Sequence, residues 1–213
     1  MIISLISQKG GVGKSALARL LAVEFIRAGW QVKIADLDTM QGTTTKWKAR
    51  RDRAGLQPEI PVEKFATVER AIREADRFDL MLLDGPAHAE QGGRGMAKSS
   101  DLVLMPTGYG LDDLEAQVEA AYELEESGID RAKIWFVFCR TTGSPSEDQA
   151  ARDYLKRAKI NVFDLVFPEL PSIRQGHNAG KAASEISFPA VQERSAALAA
   201  AIAKHMQTKK AAA

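Results

Sequence analysis

The chain has 213 residues, of which 45% are hydrophobic and 27% are charged, and its formal net charge at pH 7 is +1. This length suits one domain with a core large enough to fold alone, and the small net charge excludes a global field that would attract nucleic acid. The single cysteine, Cys139, excludes an internal disulfide and a cysteine-ligated cluster within one subunit.

A glycine-rich loop at residues 8–15 follows the apolar run of residues 1–6. Beyond the loop, apolar residues recur at helical spacing at Leu17, Leu20, Leu21, Phe25 and Ala28. The order strand, glycine loop and helix predicts a phosphate-binding loop, because glycines bring backbone N–H groups against phosphate oxygens and a helix N-terminus adds free donors. In such a loop Lys14 neutralises phosphate charge and the Ser15 hydroxyl binds Mg²⁺.

The loop departs from the general pattern G-x-x-x-x-G-K-[ST], because Gln8 stands at the position of the first glycine. It reads K-G-G-V-G-K-S, with an additional lysine, Lys9, at its start. In this it resembles the deviant P-loop of the ParA/MinD family of ATPases. The resemblance implies ATP and Mg²⁺ as cofactors, a catalytic Lys14, and a catalytic Lys9 that reaches across a dimer interface to the partner's nucleotide. The implied nucleotide-binding residues of the loop are Gly10, Gly11, Val12, Gly13, Lys14, Ser15 and Ala16.

Further predicted strands end in carboxylates. Residues 31–38 end with Asp36 and Asp38, and residues 78–84 end with Asp84. Because ligands of parallel α/β sheets lie beyond the carboxyl ends of the strands, these acids are expected at the phosphate site. By the resemblance, Asp38 is catalytic and orients the attacking water, Asp36 supports the Mg²⁺ shell, and Asp84 holds Mg²⁺ through water.

The segment after Asp38 departs from the family motif D-x-D-P-Q. Thr39 replaces the proline, and one residue is inserted before Gln41. The alternative interpretation of these acids is a pair of solvated turn residues. His88, just beyond the later strand, is interpreted as a lone surface histidine.

Residues 41–54 are predicted to form a basic helix. Its cationic residues are Lys46, Lys48, Arg50, Arg51 and Arg53. Such a run predicts a solvated face, with the rim of a nucleic-acid surface as the alternative. Trp47 is expected to pack in the core. Further on, Gly92, Gly93 and Gly95 predict a flexible loop, which by the resemblance is a switch that responds to the γ-phosphate.

The second half of the chain continues the alternation of strands and helices. The predicted strands are residues 62–65, 100–107, 132–138 and 162–167, and the predicted helices are residues 68–75, 111–127, 147–158 and 189–206. The pattern predicts one α/β domain over residues 1–207, with a mostly parallel sheet and helices on both faces. Residues 208–213 are expected to be a flexible tail or a remnant of cloning.

The C-terminal third resembles the family less closely. The family places its adenine-binding backbone where this chain has Pro168, Glu169 and Leu170, and Arg140 is implied beside the same nucleotide. Residues 172–181 resemble the family segment P-R-x-v-x-x-A-x-x-x-G-k. The family carries DNA-contacting basic residues in this third, so the implied DNA-binding residues are Arg174 and Lys181.

The resemblance covers most of the chain and implies a short ParA-like partition ATPase without an N-terminal DNA-binding extension. Such a protein forms a homodimer with ATP, binds DNA without sequence preference, and is reset by an activating centromere-binding or adaptor protein. We expect slow basal hydrolysis and a cytoplasmic, nucleoid-associated location. Stable membrane insertion is not expected, since no stretch approaches the roughly 20 apolar residues of a membrane span.

Other classes of protein share such a loop. A membrane-associated MinD type needs a C-terminal amphipathic helix with bulky apolar residues, whereas residues 195–207 are mostly alanine and small or polar residues. An iron–sulfur reductase or scaffold needs paired cysteines at a dimer interface, and Cys139 alone speaks against it. A metabolic ATP-dependent enzyme on the same fold stays open, because only a bound substrate would exclude it.

Overall fold

The computed structural model describes residues 1–86, 90–141 and 143–212, so His88 lies outside the described residues. The strands are β1 (Ile2–Leu5), β2 (Val32–Asp36), β3 (Val62–Lys64), β4 (Leu80–Asp84), β5 (Leu102–Thr107), β6 (Ile134–Thr141), β7 (Asn161–Val162) and β8 (Phe167–Pro168). The helices are α1 (Lys14–Arg27), α2 (Thr43–Arg53), α3 (Val68–Ile72), α4 (Glu90–Lys98), α5 (Leu111–Glu126), α6 (Pro145–Arg157), α7 (Pro171–Asn178) and α8 (Pro189–Ala212).

The strands of the described residues form one eight-stranded sheet in the order β3–β2–β4–β1–β5–β6–β7, with β8 paired to β6. Each of these pairings is parallel. The predicted α/β class with a parallel sheet is therefore confirmed. In register, Asp84 lies opposite both Leu5 and Asp36. Asp84 thus lies beside the strand that leads into the glycine loop, and Asp36 lies one strand further along the same edge of the sheet.

Helices cover both faces of the sheet, as the alternating pattern predicts. On one face, α1 and α8 share a buried cluster with β1, in which α8 contributes Leu198, Ile202 and Met206. On the other face, α5 and α6 pack on β5 and β6, and α3 and α4 pack on β2 and β4. None of the helices within the described ranges is both long and apolar enough to cross a membrane.

The prediction of a flexible loop over Gly92, Gly93 and Gly95 is wrong, because α4 spans Glu90–Lys98. Met96, in the same helix, is 1% exposed. Its sulfur lies 2.8 Å from where a Cβ on Gly85 would be, so this side chain packs directly on the backbone that follows β4. Tertiary packing here outweighs the low helix propensity of glycine.

The predicted strand over residues 162–167 is wrong in its continuity, because β7 and β8 are separate short strands. Between them, Phe163 turns its ring into the core. The guanidinium of Arg152 donates to the carbonyls of Phe163 and Asp164 at 3.2 and 2.8 Å. These carbonyls therefore bond to a side chain of α6 in place of a neighbouring strand.

The solvated basic face predicted for α2 is wrong at Arg51, which is 0% exposed. Its guanidinium pairs with both carboxylate oxygens of Glu185, at 2.6 and 2.9 Å, and also donates to the carbonyl of Gly180. A Cβ at Gly180 would lie 2.5 Å from the backbone nitrogen of Arg51, so only glycine permits this approach. Trp47 is also fully buried, as expected.

Candidate nucleotide site

The glycine loop, residues 8–15, connects β1 to α1 and ends at the N-terminus of that helix. Gly11 and Gly13 have φ values of 77° and 112°, a left-handed conformation that favours glycine. A Cβ on Gly13 would lie 3.1 Å from the Cβ of Cys139, because the loop lies against β6. Since α1 begins at Lys14, its free N–H groups and the positive end of its dipole lie at the loop, where they favour an anion.

The start of the loop is held by Gln117 of α5, which is 2% exposed. The Oε1 atom of Gln117 accepts from the Ser7 hydroxyl at 3.1 Å and from the Gln8 N–H at 3.4 Å. Its Nε2 atom donates to the carbonyl of Ile6 at 3.0 Å. Gln117 was not predicted from the sequence, where its only signal is a polar side chain at a buried position of a helix.

A cavity of about 290 Å³ lies beside the N-terminus of α1, and we call it the α1 cavity. It brings most of the predicted loop residues together with Asp38. Its lining residues are Gly10, Gly11, Gly13, Lys14, Ser15, Ala16, Arg19, Asp38, Gln41, Thr43 and Gly85. Arg19, Gln41 and Thr43 are additions that sequence reasoning did not single out for this site.

Lys14 is 7% exposed, and its ammonium donates to the carbonyl of Lys9 at 3.3 Å. Burial lowers the pKa of Lys14, while the negative charges of Asp84 and Asp38 act in the opposite direction. A desolvated cation at the N-terminus of a helix is a binding position for phosphate oxygens.

The buried carboxylates of Asp36 and Asp84 are bonded to threonines at the start of α2. The Thr44 hydroxyl donates to Asp84 Oδ2 at 2.7 Å. The Thr45 N–H and hydroxyl donate to Asp36 Oδ2 at 2.8 and 2.7 Å. Asp36 Oδ1 also accepts from the Asp38 N–H at 3.2 Å. The acids at the ends of β2 and β4 therefore hold the first turn of α2 beside the α1 cavity.

The donor set at this position fits Mg²⁺. Asp84 Oδ1 is buried and has no hydrogen-bond partner among the described residues. Burial raises the pKa of Asp84, while the hydrogen bond from Thr44 and the nearby Ser15 hydroxyl act in the opposite direction. A cation would satisfy this oxygen and offset its desolvation, with Ser15 and Asp36 as the neighbouring oxygen donors. Mg²⁺ keeps several waters and binds through one or two carboxylates plus substrate phosphates, so a larger cluster of protein ligands is unnecessary.

Lys9 lines a different cavity, of about 520 Å³, beside the N-terminus of α5, which we call the α5 cavity. Its ammonium donates to Asp113 Oδ1 at 2.7 Å. The loop before α5 is tied to α6, because the Tyr109 hydroxyl donates to Asp148 at 2.8 Å. Val12 also lines the α5 cavity. The two lysines of the glycine loop therefore face different surroundings.

A third position, the α7 cavity of about 190 Å³, brings together the residues expected around the base. Arg140, Pro168, Glu169 and Leu170 line it with the loop residues Gly11, Gly13 and Ala16. The Arg140 guanidinium donates to the Gly11 carbonyl at 2.5 Å and to the Glu169 carboxylate at 2.7 Å. Arg140 thus bridges the glycine loop and the segment after β8.

Of the expected DNA-binding residues, Arg174 lines the same α7 cavity and lies 3.3 Å from the Glu169 carboxylate. Its side chain is 69% exposed. Lys181 lies beyond α7, and its carbonyl accepts from Trp47 Nε1 at 3.1 Å. His177 of α7 is mostly buried. Burial and then the positive charges of Arg19 and Arg50 lower the pKa of His177 to about 3, so the ring is neutral at physiological pH.

A parallel sheet with a glycine loop between its central strand and a helix defines a P-loop nucleotide-binding domain. The chain belongs to the CobQ/CobB/MinD/ParA nucleotide binding domain family, whose model matches residues 3–182. This confirms the family resemblance of the loop. No curated protein sequence matches the chain significantly.

Several solved structures share the fold. The cell division ATPase MinD of Pyrococcus furiosus is 23% identical with a TM-score of 0.75, and the match covers 95% of this chain and 98% of that chain. The septum site-determining protein MinD of Pyrococcus horikoshii OT3, complexed with Mg-ADP, is 21% identical with a TM-score of 0.74, over 94% and 95% of the two chains. A putative plasmid partition protein of Borrelia burgdorferi B31, bound to AMPPNP, is 14% identical with a TM-score of 0.67, over 98% of each chain.

Proposed function

We propose that the protein is an ATPase that forms a homodimer with ATP and positions cargo by binding DNA without sequence preference. The observation that carries the proposal is the separation of the two loop lysines. Lys14 lines the α1 cavity with Ser15 and Asp38, whereas Lys9 lines the α5 cavity and pairs with Asp113. A P-loop needs one lysine for its own phosphates, so the second is available to a nucleotide on a partner subunit.

The proposed roles follow from the surroundings of each side chain. Lys14 and the backbone of the glycine loop hold the phosphates, and Ser15, Asp36 and Asp84 hold Mg²⁺. When bound, the Mg²⁺ ion would neutralise negative charge on the phosphates. Asp38, whose carboxylate accepts from the Gln41 N–H at 2.9 Å, orients the attacking water. The α7 cavity receives the adenine, with Arg140 and the backbone of residues 168–170 at its wall.

Dimerisation is tested by light scattering during gel filtration of an Asp38→Ala variant, which retains ATP because hydrolysis is blocked. We expect a dimer with Mg-ATP and a monomer with ADP. Adding Lys9→Ala should return the ATP form to a monomer. A dimer that forms equally with ADP, or without Lys9, would contradict the proposed trans contact.

The DNA surface is proposed on α2 and α7, which are bonded to each other. The Arg50 guanidinium donates to the His177 carbonyl at 3.3 Å, and Trp47 Nε1 donates to the Lys181 carbonyl. The basic side chains of α2 and α7 are therefore carried by neighbouring elements that contact each other. Lys46, Arg53 and Arg174 are its exposed cations. The small net charge of the chain means that only such a local patch, doubled in a dimer, attracts phosphates.

A gel-shift assay with ATP, with ADP and across a salt series tests the DNA proposal. Neutralisation of about six phosphates predicts a slope of roughly −5 for log affinity against log salt. Random duplexes should bind alike, because phosphate contacts carry no base information. The single charge reversals Arg174→Glu and Lys181→Glu should each weaken binding, with Arg77→Glu, on the exposed 3-10 turn before β4, as the matched control. If the protein binds DNA equally well with ATP and with ADP, the positioning function is contradicted and only the ATPase activity remains proposed.

The reset step is proposed to need an activating partner, either a centromere-binding protein or another adaptor. Hydrolysis by the protein alone is expected to be slow, and the partner should accelerate it in the presence of DNA. A steady-state phosphate-release assay without partners checks this. Rapid turnover by the isolated protein would favour a metabolic ATP-dependent enzyme, and sedimentation with liposomes in ATP would favour a membrane-associated positioning ATPase.

A further inference from the structure

Arg19 is a buried cation in the wall of the α1 cavity. It lies on α1 one turn after Ser15, on the same side of the helix, and is 4% exposed. The cavity that it lines also contains Lys14 and Asp38. No motif of the glycine loop includes a residue at this position, so its presence requires a separate explanation.

The guanidinium of Arg19 bonds to the start of α2. Its Nη2 atom donates to the Thr43 carbonyl at 2.9 Å, and the guanidinium carbon lies 5.4 Å from the ring centre of Trp47. Thr43 directly follows the loop that carries Asp38. That loop is closed on itself, because the N–H groups of Gln41 and Gly42 donate to the side chain and carbonyl of Asp38. A bond at Thr43 therefore restrains the whole loop.

Packing alone does not account for an arginine here. Burial lowers the pKa of Arg19 to about 10, although the carboxylates of Asp84 and Asp36 partly oppose this, and Arg19 Nε has no hydrogen-bond partner among the described residues. An apolar side chain of similar length would fill the space without leaving a buried donor unsatisfied. The charge and the donor of Arg19 are thus the features that a functional role would use.

We propose that Arg19 is a positioning residue for hydrolysis, which ties the Asp38 loop to the phosphate-binding helix through the Thr43 carbonyl. This inference rests on the proposed role of Asp38 toward the attacking water. When α1 holds the phosphates at its N-terminus, Arg19 fixes the distance from that same helix to the loop. The reacting groups are then carried by elements that are bonded to each other. Small displacements of such groups reduce rates strongly.

The test compares Arg19→Met, which keeps length without a donor, and Arg19→Lys, which keeps the charge. The matched control is Arg27→Met, an exposed arginine about two turns further along the same helix. We expect Arg19→Met to lower kcat by about tenfold or more while the Kd values for ATP and ADP stay within about threefold of wild type. Arg19→Lys should recover part of kcat. Amide exchange over residues 38–45 with Mg-ATP should rise in Arg19→Met and not in Arg27→Met.

The outcomes separate this inference from the proposed function when Asp38→Ala is measured alongside. If Arg19→Met retains wild-type kcat and exchange while Asp38→Ala loses turnover, Arg19 only packs and the ATPase proposal stands. Equal losses of ATP and ADP affinity would make Arg19 a direct phosphate ligand and overturn the positioning role. If Asp38→Ala hydrolyses ATP at the wild-type rate, the proposed role of Asp38 and the positioning role of Arg19 both fall, because the loop then has no catalytic group to position, whereas ATP-dependent dimerisation and DNA binding are decided by their own assays.

Discussion

The ammonium of Lys9 lies 2.7 Å from the carboxylate of Asp113, and this pair joins the glycine loop to the first turn of α5. Both side chains are partly exposed, at 39% and 36%. In this state Lys9 is engaged by an acid of its own chain. For a lysine proposed to contact a nucleotide across a dimer interface, the internal partner is a competitor that must be released first.

Asp113→Asn is therefore expected to favour the ATP-bound dimer. An exposed ion pair contributes about 0–1 kcal/mol and the dimer releases two of them, so the dimer dissociation constant should tighten by at most about 30-fold. Sedimentation velocity across a concentration series with Mg-ATP measures it. The control is Asp112→Asn, which removes an exposed acid from the same turn. An equal shift in the control would indicate general charge repulsion and contradict a specific release of Lys9.

Lys14→Met should weaken nucleotide binding by roughly 10- to 100-fold, since a charge-assisted hydrogen bond to phosphate contributes about 1.5–3 kcal/mol. Because burial of this ammonium is unfavourable in the absence of nucleotide, the melting temperature should not fall. Calorimetric titration with Mg-ATP and Mg-ADP, with Arg27→Met as the control, measures the affinity. Wild-type affinity in Lys14→Met would remove the phosphate-binding assignment of the loop.

Asp38→Ala should bind ATP with affinity close to wild type and lose about 100-fold or more in single-turnover phosphate release, because it removes only the carboxylate that is proposed to orient the water. The substitution Thr39→Ala serves as the control, since Thr39 is exposed and next in the chain. A similar loss of turnover in Thr39→Ala would point to disturbance of the loop. Loss of ATP binding in Asp38→Ala would place this carboxylate in nucleotide binding.

The buried His177 should make the free energy of unfolding decrease at acidic pH. Its folded pKa of about 3 lies below the ordinary value of about 6.5, so the unfolded chain takes up a proton that the folded chain does not. Stability is then present above pH 6.5 and is lost as the pH falls toward 3, by up to about 1.4 kcal/mol per pH unit. Urea unfolding of wild type and His177→Gln at several pH values measures the difference. Parallel curves for the two proteins would exclude burial of a neutral ring.

Residues governed by local pattern were predictable from the sequence. The apolar run, the glycine loop and the helical spacing after it predicted β1, the loop and α1, because each signal lies within a short window. Asp36 and Asp84 were expected at the site because parallel strands end at the same edge of a sheet. Their register across β2 and β4 brings them side by side.

Residues whose environment depends on distant segments were not predictable. Gln117 bonds to Ser7 across 110 positions of the chain. Arg51 was expected in solvent because its neighbours in sequence are charged. It is buried instead, because it forms an ion pair with the buried carboxylate of Glu185. Arg19 was overlooked within an apolar helical run for the same reason. In each case a tertiary contact determines whether the side chain is buried, and neither hydrophobic periodicity nor a motif in the sequence predicts that contact.

Because α8 lies at the C-terminal end of the described chain, its packing affects the order in which the domain folds during synthesis. Leu198 and Ile202 of this helix complete the core that supports α1. During synthesis, the glycine loop and α1 leave the ribosome long before the segment that covers them. A nascent chain that has reached α7 still lacks the helix that covers this apolar side of α1. We therefore expect nucleotide binding to begin only after α8 has emerged and packed on α1.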